Sequence, residues 1–177
     1  MDIFNGLKEL ERHTRKFNVK SLNGRIRVQK NVYLLKVLGY SPALKYDFTN
    51  YIHGPYSTTL ANTYYTEGKE KLQNSIPDRN LPKSTVDIIS EADDKGIQFL
   101  EALTTLISLR TQFVSPSSAV NSAKKLKSYM NETYWAEALE FLFTFSVIGI
   151  SQCRRIRPMY VVCEIILQSW RISKNFK

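Results

Sequence analysis

Chemistry needs side chains that titrate, ligate or attack, and this chain holds few of them in a working arrangement. Its two histidines are His13 and His53. His53 precedes Gly54-Pro55, where a turn could present it as a base or a ligand. No second histidine and no carboxylate pair stands at ligand spacing from it, so a structural hydrogen-bonding role is expected. Glu91, Asp93 and Asp94 cluster where a helix is expected to begin, and carboxylates there complement the helix dipole, so they read as capping groups. Cys153 and Cys163 lie outside any CxxC pattern, which excludes a disulfide framework or a zinc site and suits reduced thiols in a reducing compartment. No phosphate-binding glycine loop, nucleophile elbow, HExxH or dinucleotide fingerprint occurs. The expectation is a protein that is not an enzyme, with no catalytic, cofactor-binding or metal-ligating residues.

Charge is the stronger signal. The net charge is +9 over 177 residues, and it is uneven. Residues 1–46 carry ten Lys/Arg against three Asp/Glu, residues 47–148 nine against twelve, and residues 149–177 six against one. Two basic ends flanking a slightly acidic middle raise the local concentration of a polyanion, either nucleic acid or an acidic protein. Charged Lys8, Glu9, Glu11 and Arg12 interrupt the place where a signal peptide needs an apolar core. No uncharged apolar run reaches the ~18 residues of a membrane span. A cytoplasmic protein without membrane contact is expected.

These side chains must be positioned by helices. Hydrophobic residues make up 43% of the chain, and seven Gly with six Pro are too few for many short strands joined by tight turns. Apolar spacing predicts helices over 2–17, with Asp2 as cap, and over 25–38, with Gly39 as the stop. The segment 18–24 between them reads as loop. Residues 44–48 alternate as an extended stretch, and Pro55 opens a helix to about residue 65. Residues 66–90 form a break, with a short strand at 86–89. Helices follow over 91–112, 115–130 and 132–145 or beyond, the last capped by Asn131. Pro158 begins an apolar segment, strand or helix over 159–167, that is buried or joins two copies as a homodimer. The fold class is mainly α, about seven helices, with a winged-helix-like or helix-turn-helix-like N-terminal half and minor β. It reads as one helix-rich domain over 1–177, with a possible subdivision into a winged-helix-like half, 1–90, and a helical half, 91–177.

The most specific stretch runs from Arg25 to Tyr65. Its Gln29, Lys30, Tyr33, Leu34 and Leu35 are followed by Tyr51, then Gly54, Pro55, Tyr56, Ser57 and Leu60. This pattern resembles the YwgA-like proteins and the related Panacea domain of SocA-type antitoxins. The Lys-rich hairpin around residues 117–142 is compatible with the later helical segment of the same family. The resemblance implies a regulatory protein, an antitoxin or adaptor that binds another protein.

Read from its residues, the segment after Gly54-Pro55 is the second helix of a helix-turn-helix-like pair. Ser57, Thr58 and Asn62 on it can contact base edges. No Lys or Arg lies between Lys45 and Lys69. Phosphate contacts must therefore come from Arg25, Arg27 and Lys30, or from Arg154, Arg155 and Arg157. These nine residues are the expected contacts of a DNA-binding transcriptional regulator acting on double-stranded DNA. The alternative is the protein-binding antitoxin or adaptor, with an acidic protein as partner.

Overall fold

A computed structural model describes residues 2–110 and 116–152. The architecture is mainly α with minor β. The chain forms two compact units, and the boundary falls inside a helix, between Glu101 and Ala102. Among the described residues no helix is long and apolar enough to cross a membrane.

In the N-terminal unit, α1 is Ile3–Leu10, and the Asp2 carboxylate accepts from the Ile3 amide at 2.6 Å. Ile3, Phe4, Leu7 and Leu10 are fully buried, so the helix packs by a single stripe. It stops well before residue 17. Helix α2, Leu22–Val37, starts earlier than its apolar pattern suggests, because Ser21 Oγ accepts from the Gly24 amide and caps it. Asn23 and Gly24, expected as loop, form its first turn. Gly24 is required there: a Cβ would lie 1.7 Å from the Asn18 carbonyl oxygen. Gly39, with φ of +84°, ends the helix as expected.

A short 3-10 turn, Ser41–Ala43, follows, and then a hairpin of β1, Thr49–Tyr51, and β2, Gly54–Tyr56. The strands are antiparallel, with Thr49 opposite Tyr56 and Tyr51 opposite Gly54. Residues 44–48 are not the strand, although they alternate. Tyr46 is buried and Leu44 is exposed, and Phe48 meets Tyr33 edge-on at 5.2 Å. Pro55 does not open a helix either. It lies in β2, a two-stranded sheet where a missing N–H is tolerated, and Gly54 takes the left-handed conformation, φ +86°, that closes the turn.

Helix α3, Thr58–Thr66, begins three residues after Pro55, with Ser57 as its N-cap: Ser57 Oγ accepts from the Leu60 amide at 3.3 Å. The connection from α2 to α3 is therefore the whole segment 38–57, hairpin included, rather than a short turn. Helices α4, Gly68–Asn74, and α5, Lys83–Asp94, occupy the expected break. The short strand expected at 86–89 is helical because Val86, Ile89 and Ala92 recur on one buried face, which outweighs their β propensity. Gly96, with φ of +95°, separates α5 from α6, Ile97–Arg110. The single helix expected over 91–112 is thus two, and the acidic cluster lies at the end of α5 rather than at a helix start.

In the second unit, the rest of α6 is followed by α7, Pro116–Leu126, and α8, Glu132–Gln152. Every residue from 102 to 109 is buried. Ala119, Ala123, Met130, Trp135, Ala138 and Phe141 are buried as well. Asn131 caps α8 as expected, its Oδ1 accepting from the Thr133 amide at 3.0 Å. Lys124 on α7 pairs with Glu132 at the start of α8. The apolar segment 159–167, with its strand, helix and homodimer readings, lies outside the described residues, as do Cys153 and Cys163.

Candidate nucleic-acid interface

The expected contact residues divide sharply. Three of them are corrected by their surroundings. Lys30 is 1% exposed, and its Nζ donates to the Pro55 carbonyl at 2.8 Å. Ser57 is buried as the α3 cap. Its backbone is gripped by the Gln29 side chain, whose Nε2 donates to Ser57 O at 3.0 Å and whose Oε1 accepts from Ser57 N at 2.9 Å. Gln29, Lys30, Pro55 and Ser57 are therefore one buried joint between α2 and the hairpin. The spacing of that motif serves packing.

Arg27 is the third correction and the most informative. Its Nε donates to Asp93 Oδ1 at 2.6 Å, with side-chain exposures of 11% and 1%. The remaining nitrogens reach Thr14 Oγ1 at 2.9 Å, Arg15 O at 2.5 Å and Lys16 O at 3.1 Å. The guanidinium also lies over the Phe17 ring, 4.5 Å from its centroid. Asn31 adds a bond to the same Asp93 oxygen at 2.9 Å. A buried charge requires such a set of partners. Arg27 therefore ties the segment after α1 to α2 and α5, with four of its five N–H donors bonded within the protein. Asp93, expected as a dipole-capping group, is its counter-ion.

Sequence reading missed the segment that Arg27 holds. Between α1 and α2 the backbone carbonyls point inward. Arg15 and Lys16 give theirs to Arg27, Val19 and Lys20 give theirs to Arg25, and Asn18 accepts from Ser21 Oγ. Glu11 clamps the opposite side, accepting from the Phe17 amide at 2.7 Å and from Lys8 Nζ at 3.1 Å. With its acceptors turned in, the loop exposes the side chains of Arg15, Lys16 and Lys20, and none of the three has a hydrogen bond or ion pair.

Arg25 links this basic loop to α3. Besides its two loop carbonyls, its guanidinium lies 5.7 Å from the centroid of the Tyr65 ring. Thr58, Asn62 and Tyr65 recur at i, i+4 and i+7, so they share one face of α3, and all three are exposed. Two clefts flank the junction. One, about 510 Å³, is lined by Lys8, Lys16, Lys20 and Phe17 among others. The other, about 550 Å³, is lined by Arg25, Tyr64, Tyr65, Glu67 and Glu70 among others. Val19, Lys20 and Gln73 line both. Thus Arg25 lies beside the loop cations, Thr58 and Asn62 are exposed on the α3 face that ends in Tyr65, and Arg154, Arg155 and Arg157 lie outside the described residues.

His53 stands apart from this surface. It occupies the hairpin turn, its Nδ1 lies 2.9 Å from Glu101 Oε1, and Glu101 is buried. That contact anchors the turn to α6. Among the described residues no three His, Cys, Asp or Glu side chains gather as a metal site. No protein-family model, no curated protein and no solved structure matches the chain.

Proposed function

We propose that the chain is a non-enzymatic regulatory protein that binds double-stranded DNA. Arg15, Lys16, Lys20 and Arg25 contact phosphates, and the exposed Thr58 and Asn62 of α3 meet base edges. One observation carries this reading: three unpaired cations stand on a loop braced by Arg27 and Glu11, and that loop meets α3 through Arg25, which bonds the Val19 and Lys20 carbonyls and lies near the Tyr65 ring. Most positive side chains elsewhere in residues 1–46 are already engaged. Cations left unpaired on a fixed backbone suit a regularly spaced polyanion, because the ordering entropy of the backbone that carries them is already spent in folding.

The test is duplex binding by fluorescence anisotropy between about 50 and 200 mM salt. Four phosphate contacts give a log–log slope of about −3 to −4. The triple variant Arg15→Ala/Lys16→Ala/Lys20→Ala should flatten that slope by about 3 while leaving the circular dichroism spectrum unchanged. Absence of duplex binding at low salt, or a slope untouched by the triple variant, overturns the reading.

A protein-binding antitoxin or adaptor is the second reading, and one observation favours it. Tyr51 and Ile52 stand 66% and 64% exposed at the hairpin turn, an apolar pair on a surface remote in sequence from the basic loop. Under that reading Tyr51→Ser/Ile52→Ser removes a co-purifying partner, and the triple loop variant does not.

A further inference from the structure

The two clefts beside the basic loop adjoin, and Val19, Lys20 and Gln73 belong to the walls of both. Their chemistry differs from end to end. Lys8, Lys16 and Lys20 stand at one end, where Glu11 is engaged by Lys8 and the Phe17 amide. At the other end Tyr65 is 64% exposed, braced from behind by Tyr64 at 5.0 Å between centroids, with Arg25 near its ring. Glu67 and Glu70 line that aromatic end. Glu67 is paired with Lys71 at 2.6 Å, and Glu70 has no hydrogen bond or ion pair.

A duplex uses only the cationic end of such a groove, since its bases are stacked away. An aromatic ring beside cations is the arrangement that single-stranded nucleic acid uses, with phosphates on the charges and a base on the ring. The geometry points to a nucleotide site in this groove: an unpaired base of a single-stranded segment stacks on Tyr65 while its neighbouring phosphates lie against Lys16 and Lys20. This rests on the nucleic-acid reading above and adds the form of the strand. Glu70 adds a preference. A carboxylate accepts from an exocyclic amine, which cytosine has and thymine lacks, so the site favours cytosine over thymine.

The experiment uses the full chain with oligo(dC) and oligo(dT) of about 15 nucleotides and a blunt duplex, all read by anisotropy. Tyr65→Ala should weaken oligo(dC) binding by about tenfold and duplex binding, which loses only the ring beside Arg25, several-fold less, and Tyr65→Phe should retain wild-type affinity. Oligo(dC) should bind several-fold tighter than oligo(dT), and Glu70→Gln should abolish the difference while Tyr65 still matters. Duplex binding with no effect of Tyr65→Ala on oligo(dC) overturns the nucleotide site alone. Equal affinity for the two oligomers overturns the role of Glu70. No binding to any of the three overturns the nucleic-acid reading and this inference together. Tyr65 is on the surface, so its truncation leaves the fold intact.

Discussion

Replacing Asp93 with alanine should destabilise the N-terminal unit by about 3 kcal/mol, the lower end of the ~3–5 kcal/mol lost when one partner of a buried ion pair is removed. The size follows from the burial of the pair, 11% and 1% exposed at 2.6 Å, which shuts out the screening that makes surface pairs nearly worthless. It falls at the lower end because the orphaned Arg27 keeps three acceptors in the loop, Thr14 Oγ1, Arg15 O and Lys16 O. Asn31 likewise keeps its bond to Arg27 O at 3.0 Å. Urea unfolding followed by circular dichroism gives the total loss, and amide exchange along α2 assigns it to this unit. Tryptophan fluorescence, from Trp135 and Trp170, reports the other unit. Removing the stranded charge should help: Arg27→Met in the Asp93→Ala background should recover about 1–2 kcal/mol relative to additive behaviour. A loss under about 1 kcal/mol for Asp93→Ala, or strict additivity in the cycle, would refute the reasoning that a desolvated charge holds the loop to α2 and α5.

Three further substitutions probe the same scaffold. Gly24→Ala places a Cβ 1.7 Å from the Asn18 oxygen and 2.6 Å from its carbonyl carbon, both backbone, so the basic loop must move. It should cost about 1–3 kcal/mol in urea unfolding and weaken oligonucleotide binding, although the residue carries no charge. Ser57→Ala removes the α3 cap at a cost of about 1 kcal/mol in the same assay. Oligonucleotide affinity should stay unchanged there, because Gln29 grips only the Ser57 backbone. Tyr40→Phe leaves Asp78 Oδ2 without the hydroxyl that donates to it at 2.9 Å, at a cost of about 1–3 kcal/mol at neutral pH. Burial first, and Asp78 second, raise the Tyr40 phenol well above its ordinary value of 10.0. Its contribution is therefore complete below about pH 10 and lost as pH rises further, so the variant should flatten the alkaline fall in stability.

Helix existence was legible where a cap and a stripe coincide, as at Asp2 with Ile3, Leu7 and Leu10, or Asn131 with α8. It was illegible where tertiary partners decide. Pro55 fits a helix start by its fixed φ and missing N–H, but β1 pairs with that segment and Lys30 takes its carbonyl. Val86 and Ile89 suit a strand by type, yet their spacing matches the face that α5 buries. Gly96 carried a readable signal, a left-handed stop between Asp94 and Ile97. Taking it at face value would have put Asp93 near the end of α5, at a position free to meet another element rather than in a first turn.

The basic loop was hidden by a single boundary. Extended to residue 17, the first helix would place Arg15 four residues after Glu11, at the spacing that pairs charges on a helix face. Arg15 would then look neutralised, like Arg12, which does meet Glu9 at 3.2 Å. The helix stops at Leu10 instead, and Thr14 Oγ1 bonds the Leu10 carbonyl at its end at 3.0 Å. Glu11 turns to the Phe17 amide and Lys8, and Arg15 is left without an acid. Counting charge over residues 1–46 could not separate these cases. Of its ten cations, Arg27 and Lys30 are structural, Lys8, Arg12 and Lys36 are paired with acids, and Lys45 lies against Tyr46. What distinguishes Arg15, Lys16 and Lys20 is that their carbonyls are used by Arg27 and Arg25 while their own charges are not. An arginine spent internally, and so lost as a contact, is what presents its neighbours to a ligand.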